Sequence, residues 1–335
     1  LIDTFDRNFE FSVEHVALAK EADVVMIAPA SANVIGKIAN GIADDMLTTT
    51  VMACPCKKIV SPAMNHNMFH NPIVQDNIEK LKHYGYEIVE PAHGMLANGD
   101  MGDGRMPDEE LLFEYIVKEI AFEKDMTGKK VLVTAGATVE AIDPVRFITN
   151  HSSGKMGFAL AKNAMLRDAD VTLVMGKCDS EPPVFVNTVK VQSAKDMYDA
   201  VIERADSMDI IVKAAAVADY RPKNVSSEKV KKQDGNMSIE LERTDDILKT
   251  LGERKNGQFI CGFSMETENM LENSRKKLEK KNCDMIVANN LKQDGAGFGG
   301  NTNIVTLITK DDEVQLEKMT KDEVAEKIFD FILSR

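Results

Sequence analysis

Apolar positions follow two rhythms along this chain. Short, mainly apolar runs without alternation occur at 23–28 (DVVMIA), 58–61, 131–133, 171–175, 209–214, 259–262 and 284–288. Such runs predict strands buried on both faces. Between them, apolar residues spaced three and four apart predict amphipathic helices over 13–22, 71–84, 108–123, 195–205, 246–253, 268–281 and 321–333, with another opening at Gly154. Further short strands are predicted at 86–89 and 304–309, the latter followed by the turn pair Asp311 and Asp312. Strands alternating with helices predict an α/β architecture, a mainly parallel sheet with helices on both faces.

The pattern breaks once, at 124–130 (KDMTGKK), a charged stretch with one glycine. It predicts a boundary between two Rossmann-like domains, 1–125 and 126–335. A length of 335 residues suits two domains that each bury a core.

Charge and composition narrow the function classes. The net charge of −13 opposes a nucleic-acid surface, which needs clustered positive charge. No apolar run approaches the roughly 18 to 20 residues of a membrane span and no secretory pattern opens the chain, so a cytoplasmic protein without membrane partners is expected. Cys54, Cys56, Cys178, Cys261 and Cys283 are scattered and suggest neither a disulfide framework nor a zinc site. The chain opens on Leu1 and polar residues, without the strand and glycine-rich turn that usually begin such a domain, so a fragment is expected.

The densest candidate chemistry follows the strand at 131. Thr134-Ala135-Gly136 ends that strand, and a long loop carries Asp143, Arg146, Asn150, His151, Ser152, Ser153 and Lys155 into the helix at Gly154. A strand, a small-residue turn and a helix N-terminus form a place where N–H groups and the helix dipole hold phosphate. Neither a Walker A loop nor a Gly-x-Gly-x-x-Gly fingerprint is present. Downstream, Lys213 to Tyr220 (KAAAVADY) runs from strand into turn with small residues that admit a planar ligand or tight helix packing; a basic cluster spans 227–233, and Phe263 ends a strand where it either stacks on a base or packs in the core. Lys277 and Lys281 share one helix face.

In the first half, Pro29-Ala30-Ser31-Ala32-Asn33 leaves a strand with residues suited to capping a helix. Pro62 to Phe69 (PAMNHNMF) leaves the next, placing the Asn65 amide at the ligand edge of a sheet. His15 sits on a helix, while His66, His70, His83 and His93 match no motif. Gly94 to Met106 is glycine-rich and predicts a mobile flap.

The stretch Asp143-Pro144-Val145-Arg146-Phe147-Ile148-Thr149-Asn150-His151-Ser152-Ser153-Gly154-Lys155-Met156-Gly157 closely resembles the ligase half of the bifunctional coenzyme A biosynthesis proteins, in which a phosphopantothenate–cysteine ligase is joined to a phosphopantothenoylcysteine decarboxylase. The resemblance runs over essentially the whole chain. It implies a flavoprotein-type decarboxylase domain followed by a ligase domain, with FMN, CTP and magnesium, small-molecule substrates, and a homo-oligomer with flavin sites between subunits.

For the first half it implies that segments around Ser31 and Asn33 surround FMN, that His15 is the base in thiol oxidation, and that Asn65 holds the departing carboxylate. The family places a proton-donating cysteine after Ala97, where this chain has Asn98. An amide does not donate as a thiol does, so the final reduction is the step this departure touches. For the second half it implies that Asn150 and Arg146 handle an acyl-cytidylate, that Lys229 neutralises the triphosphate, and that Ala215 and Asp219 take the cytidine. Asp246, Ile247, Phe263, Lys277 and Lys281 complete the nucleotide set. The rival readings are a nicotinamide-dependent reductase, opposed by the missing fingerprint, and a flavin-binding regulatory protein related to the decarboxylases.

Overall fold

The computed structural model describes residues 14–96, 99–231, 237–266, 269–290 and 300–335. They form two compact units, Leu1–Glu123 and Lys124–Arg335. Among the described residues no helix is long and apolar enough to cross a membrane.

In the first unit, α1 (Glu14–Glu21) precedes β1 (Val24–Ala30), α2 (Ala32–Ala39), α3 (Met46–Ala53) and β2 (Lys57–Pro62). The one-turn α4 (His66–Phe69), α5 (Pro72–His83), β3 (Glu87–Ile88), the hairpin strands β4 (Ala92–Met95) and β5 (Met101–Arg105), and α6 (Glu109–Ile120) follow. Strands β1, β2 and β3 pair in that order, all parallel. Adjacent Ile59 and Val60 are both fully buried because successive side chains leave a strand on opposite faces. Val60 packs with Ile27, Ile35, Ile78 and Leu81, whereas Ile59 packs with Val89 and Leu112 on α6. Two-sided burial explains why these strands lack a polar alternation.

The second unit begins with β6 (Lys130–Ala135), the short pair β7 (Val139–Ala141) and β8 (Phe147–Thr149), α7 (Lys155–Leu166), β9 (Asp170–Met175), β10 (Asn187–Lys190), α8 (Ala194–Ala205) and β11 (Ile210–Lys213). It continues with the pair β12 (Tyr220–Pro222) and β13 (Leu241–Arg243), α9 (Ile247–Arg254), β14 (Phe259–Glu266), α10 (Met270–Lys280) and β15 (Met285–Asn290). The chain closes with β16 (Thr302–Asn303), β17 (Val305–Ile308), β18 (Glu313–Gln315), β19 (Met319–Thr320) and α11 (Lys321–Leu333).

The main sheet has the order β10-β9-β6-β11-β14-β15-β17-β18. Strands from β10 to β15 are parallel, and β17 and β18 add an antiparallel edge. From β6 the chain winds outward to β9 and β10, then returns to lay β11 on β6's other side. That reversal is a topological switch point, and in open sheets of this kind ligands bind near it, outside the carboxyl ends of the strands.

The long loop after β6 is more ordered than its sequence suggests. Strands β7 and β8 form a small antiparallel hairpin inside it, with Val139 opposite Thr149. The glycine- and asparagine-rich loop over 289–303 has the composition of a lid, and its residues 291–299 lie outside the described residues.

Candidate functional site

The crevice at the switch point is built by backbone closure between the two loops. Thr134 and Thr138 accept the N–H groups of Ala215 and Ala218, each at 3.0 Å, through their hydroxyl oxygens. The Ala216 N–H donates to the Gly136 carbonyl at 2.8 Å. A side chain at Gly136 or Gly154 would collide with Cys178, so the two glycines let the loop fold back to the start of α7. Both have positive φ, +76° and +80°. Burial pushes the Cys178 thiol up to about 11, with Asp179 adding to it, which disfavours its thiolate.

The resulting cavity, about 260 Å³, is lined by 152–157 at the N-terminus of α7, by 213–217 and Asp219 after β11, and by Phe263, Met265, Lys277, Asn289, Asn303 and Lys321. A neighbouring cavity of about 390 Å³ shares Lys213, Val217, Asp219 and Lys277 with it. It adds Arg243, Asp245, Asp246, Ile247 and Lys281. Together they hold Ala215, Asp219, Asp246, Ile247, Phe263, Lys277 and Lys281, seven of the residues singled out from sequence.

Charge in this crevice is arranged around lysines. Lys277 donates to the Phe263 carbonyl at 2.9 Å, which fixes it between β14 and α10. Asp246 caps α9 by accepting the Lys249 N–H at 2.9 Å and pairs with Lys281. Burial opposes ionisation of Asp246, but Lys281 and the Lys249 N–H outweigh it and lower its pKa.

Sequence reasoning did not single out Lys213. Burial, then repulsion from Lys277, brings its ammonium down to about 8, with Asp246 and Asp219 partly offsetting them. Lys321, 7 % exposed, is likewise lowered by burial and by Lys155. Several lysines in a confined crevice of a protein with charge −13 make a local anion site, since exposed charges beyond about 8 Å are largely screened at physiological salt.

Three ligase candidates, Asn150, Arg146 and Lys229, do not line either cavity. Asn150 donates to the Val217 carbonyl at 3.2 Å and so braces a lining segment. Arg146 donates to Asp143 through Nε at 3.0 Å and Nη2 at 2.5 Å, and to the Val230 carbonyl at 2.7 Å. Lys229 is exposed next to that anchored residue.

In the first unit, Ser31 caps α2 by accepting the Val34 N–H at 3.4 Å, with Asn33 exposed in the first turn. Asn65 caps α4 through its carbonyl oxygen, which accepts the Asn67 N–H at 2.9 Å and leaves its amide as a donor. His15 Nδ1 and Ser61 Oγ are buried with no hydrogen-bond partner among the described residues. Ala28 and Pro29 are exposed at the carboxyl end of β1, next to Ser31. Small exposed residues and a buried, unsatisfied imidazole nitrogen fit a bound aromatic cofactor. Asn98 lies outside the described residues.

Comparison with known proteins covers both units. The flavoprotein family model matches residues 1–121, and the DNA/pantothenate metabolism flavoprotein C-terminal domain matches 126–335. The coenzyme A biosynthesis bifunctional protein CoaBC of Bacillus subtilis is 49% identical over 92% of this chain and 77% of its own length. A cysteine/cysteine sulfinic acid decarboxylase from an unknown prokaryotic organism is 42% identical over 100% of this chain and 95% of its own. The crystal structure of the C-terminal domain of a CoaBC protein superposes with a TM-score of 0.55 at 47% identity, covering 63% of this chain and 97% of that one.

Proposed function

The chain belongs to the bifunctional coenzyme A biosynthesis family, and from that premise we propose that its second unit joins phosphopantothenate to cysteine with CTP while its first unit decarboxylates the product with FMN. The observation that carries the ligase reading is the switch-point crevice, where lysines from β11, α7, α10 and α11 line one space with Asp219 and Phe263. Identity across both units disfavours the regulatory and nicotinamide readings.

In the ligase reaction the substrate carboxylate attacks the α-phosphorus of CTP, pyrophosphate leaves, and the amine of cysteine then displaces CMP from the acyl-cytidylate. Ala215 and Asp219 take the cytidine, with Phe263 against the base and Ile247 in the adjoining wall. Lys213, Lys277 and Lys281 offset phosphate charge, a task dominated by electrostatics. The start of α7 contributes its N–H groups, worth on the order of 0.3–2 kcal/mol toward an anion. Asn150 orients the acyl-cytidylate through the 216–217 segment. Arg146 serves the same step by fixing the backbone beside Lys229, whose ammonium meets the triphosphate. Asp219, Asp245 and Asp246 are oxygen donors of the type that hold magnesium with substrate phosphates.

In the decarboxylase unit Ser31 and Asn33 would hold FMN, which would supply the two-electron oxidation of the cysteinyl thiol and return the two electrons to the enethiol left by decarboxylation. His15 takes the thiol proton at Nδ1, the nitrogen left without a partner, and Asn65 donates its amide to the carboxylate. The test is retention of flavin: the purified chain binds one FMN, and His15→Ala retains the flavin while losing carbon dioxide release. Wild-type release in that variant contradicts the assignment of His15.

A further inference from the structure

We propose that His66, His70 and Asp103 form a binding site for a divalent transition-metal cation of the zinc, cobalt and nickel class. The ligand atoms of these residues lie within 4.8 Å of one another. Around tetrahedral zinc, donors at 2.0–2.1 Å stand about 3.3 Å apart. His70 Nε2 and Asp103 Oδ2 already stand 3.0 Å apart as a hydrogen-bonded pair, so a cation takes the place of the shared proton, which leaves to solvent, while the His66 ring draws in.

Local structure prepares each ligand. His66 begins α4 and His70 is its C-terminal cap, an i, i+4 pair with ring centroids 4.4 Å apart. That spacing puts two imidazoles on one side of a helical turn, the arrangement used by helical zinc ligands. His66 Nδ1 accepts the Asp103 N–H at 3.2 Å, so this nitrogen is deprotonated and stands beside the third ligand; it exchanges that hydrogen bond for the cation on binding. Gly102 admits that ring, since a Cβ there would stand 2.9 Å from His66 Nδ1.

Asp103 is held from outside. Its second oxygen, Oδ1, pairs with His93 Nδ1 at 2.9 Å across the hairpin. A ligating carboxylate held by an imidazole in this way has a fixed direction, as outer partners of metal ligands provide. Two nitrogens and one oxygen suit borderline cations, whereas magnesium and calcium take oxygen sets. The residues remain partly exposed, which leaves room for water as a fourth ligand. A bound ion would tie β5 to α4, next to Asn65.

The test is equilibrium dialysis of the tag-free full chain against Co²⁺ in excess Mg²⁺, read by metal analysis and by the visible absorption of tetrahedral cobalt. One ion per chain with tetrahedral absorption is expected. Binding at least tenfold weaker is expected in His70→Ala and in Asp103→Asn, and His93→Ala, which removes only the outer partner, weakens it by about tenfold. Circular dichroism shows whether each variant folds, and His66→Gln supplies an independent ligand loss. Binding unchanged in these folded variants, or no Co²⁺ retained by the wild type, overturns the proposal.

Discussion

The carboxylate of Asp143 receives the backbone N–H of Val230 at 3.1 Å, 87 residues away in sequence, on the same oxygen that accepts the Arg146 guanidinium. Its other oxygen takes the N–H groups of Val145 and Arg146, each at 2.8 Å. The side chain is fully buried, and these donors, Arg146 foremost, hold its pKa far below the usual carboxylate range. One turn of the loop after β6 thus grips the backbone that presents Lys229.

Asp143→Asn keeps the shape but removes charge from a site that accepts several donors. Loss of charge-assisted bonds of this kind costs about 1.5–3 kcal/mol each. Ligation is expected to fall by at least tenfold, with a rise in KM for CTP because Lys229 loses its anchor. A double variant with Lys229→Ala should lose little more than Lys229→Ala alone; additive losses would show that Asp143 acts elsewhere.

Lys213 predicts opposite effects on stability and binding. Its pKa is near 8 in the folded protein, against an ordinary value of 10.5, so the unfolded chain binds more protons between those values. Stability is therefore expected to rise as pH goes from about 8 to 10.5. Lys213→Met removes the strained charge and should raise the melting temperature at pH 7, the gain being about 1–3 kcal/mol. The same variant should bind CTP more weakly at pH 7, and calorimetry should show that the wild type loses CTP affinity as pH rises through 8 while the variant does not. A melting temperature that falls in Lys213→Met would contradict this account.

Asn150→Asp sets a carboxylate against the Ala216 and Val217 carbonyls in place of a donor. Activation of the carboxylate by CTP should persist while transfer to cysteine slows, so acyl-cytidylate accumulates in quenched reactions. An unchanged rate of amide formation would remove Asn150 from the mechanism.

Asp246→Ala removes the cap of α9 and the partner of Lys281 together. Loss of a cap costs about 0.5–2 kcal/mol. The melting temperature should fall modestly, and KM for CTP should rise as Lys281 is freed from its place in the cavity wall. A KM that stays at the wild-type value would separate Asp246 from nucleotide binding.

Much of the fold was legible because its strands are buried on both faces. Val131 to Val133 and Ile210 to Val212 read as strands since nothing polar interrupts them, and their neighbours in the sheet meet them in parallel. Strands of three residues, such as β7 and β12, are too short to carry a period and escaped notice. The cavity-lining residues from Ala215 to Lys281 were singled out through motif resemblance, not periodicity. Lys213 stayed hidden because its character comes from Lys277, Asp246 and Asp219, which folding brings from other elements. The tie between His70 and Asp103 spans 33 residues and leaves no local signal.

The most direct measurement is mass spectrometry of the products formed from CTP, phosphopantothenate and cysteine by the purified chain, with and without FMN. CTP-dependent phosphopantothenoylcysteine with release of CMP, formed equally without FMN, is the predicted result. Absence of that product in the presence of CTP would contradict the assignment of the switch-point crevice as a ligase site.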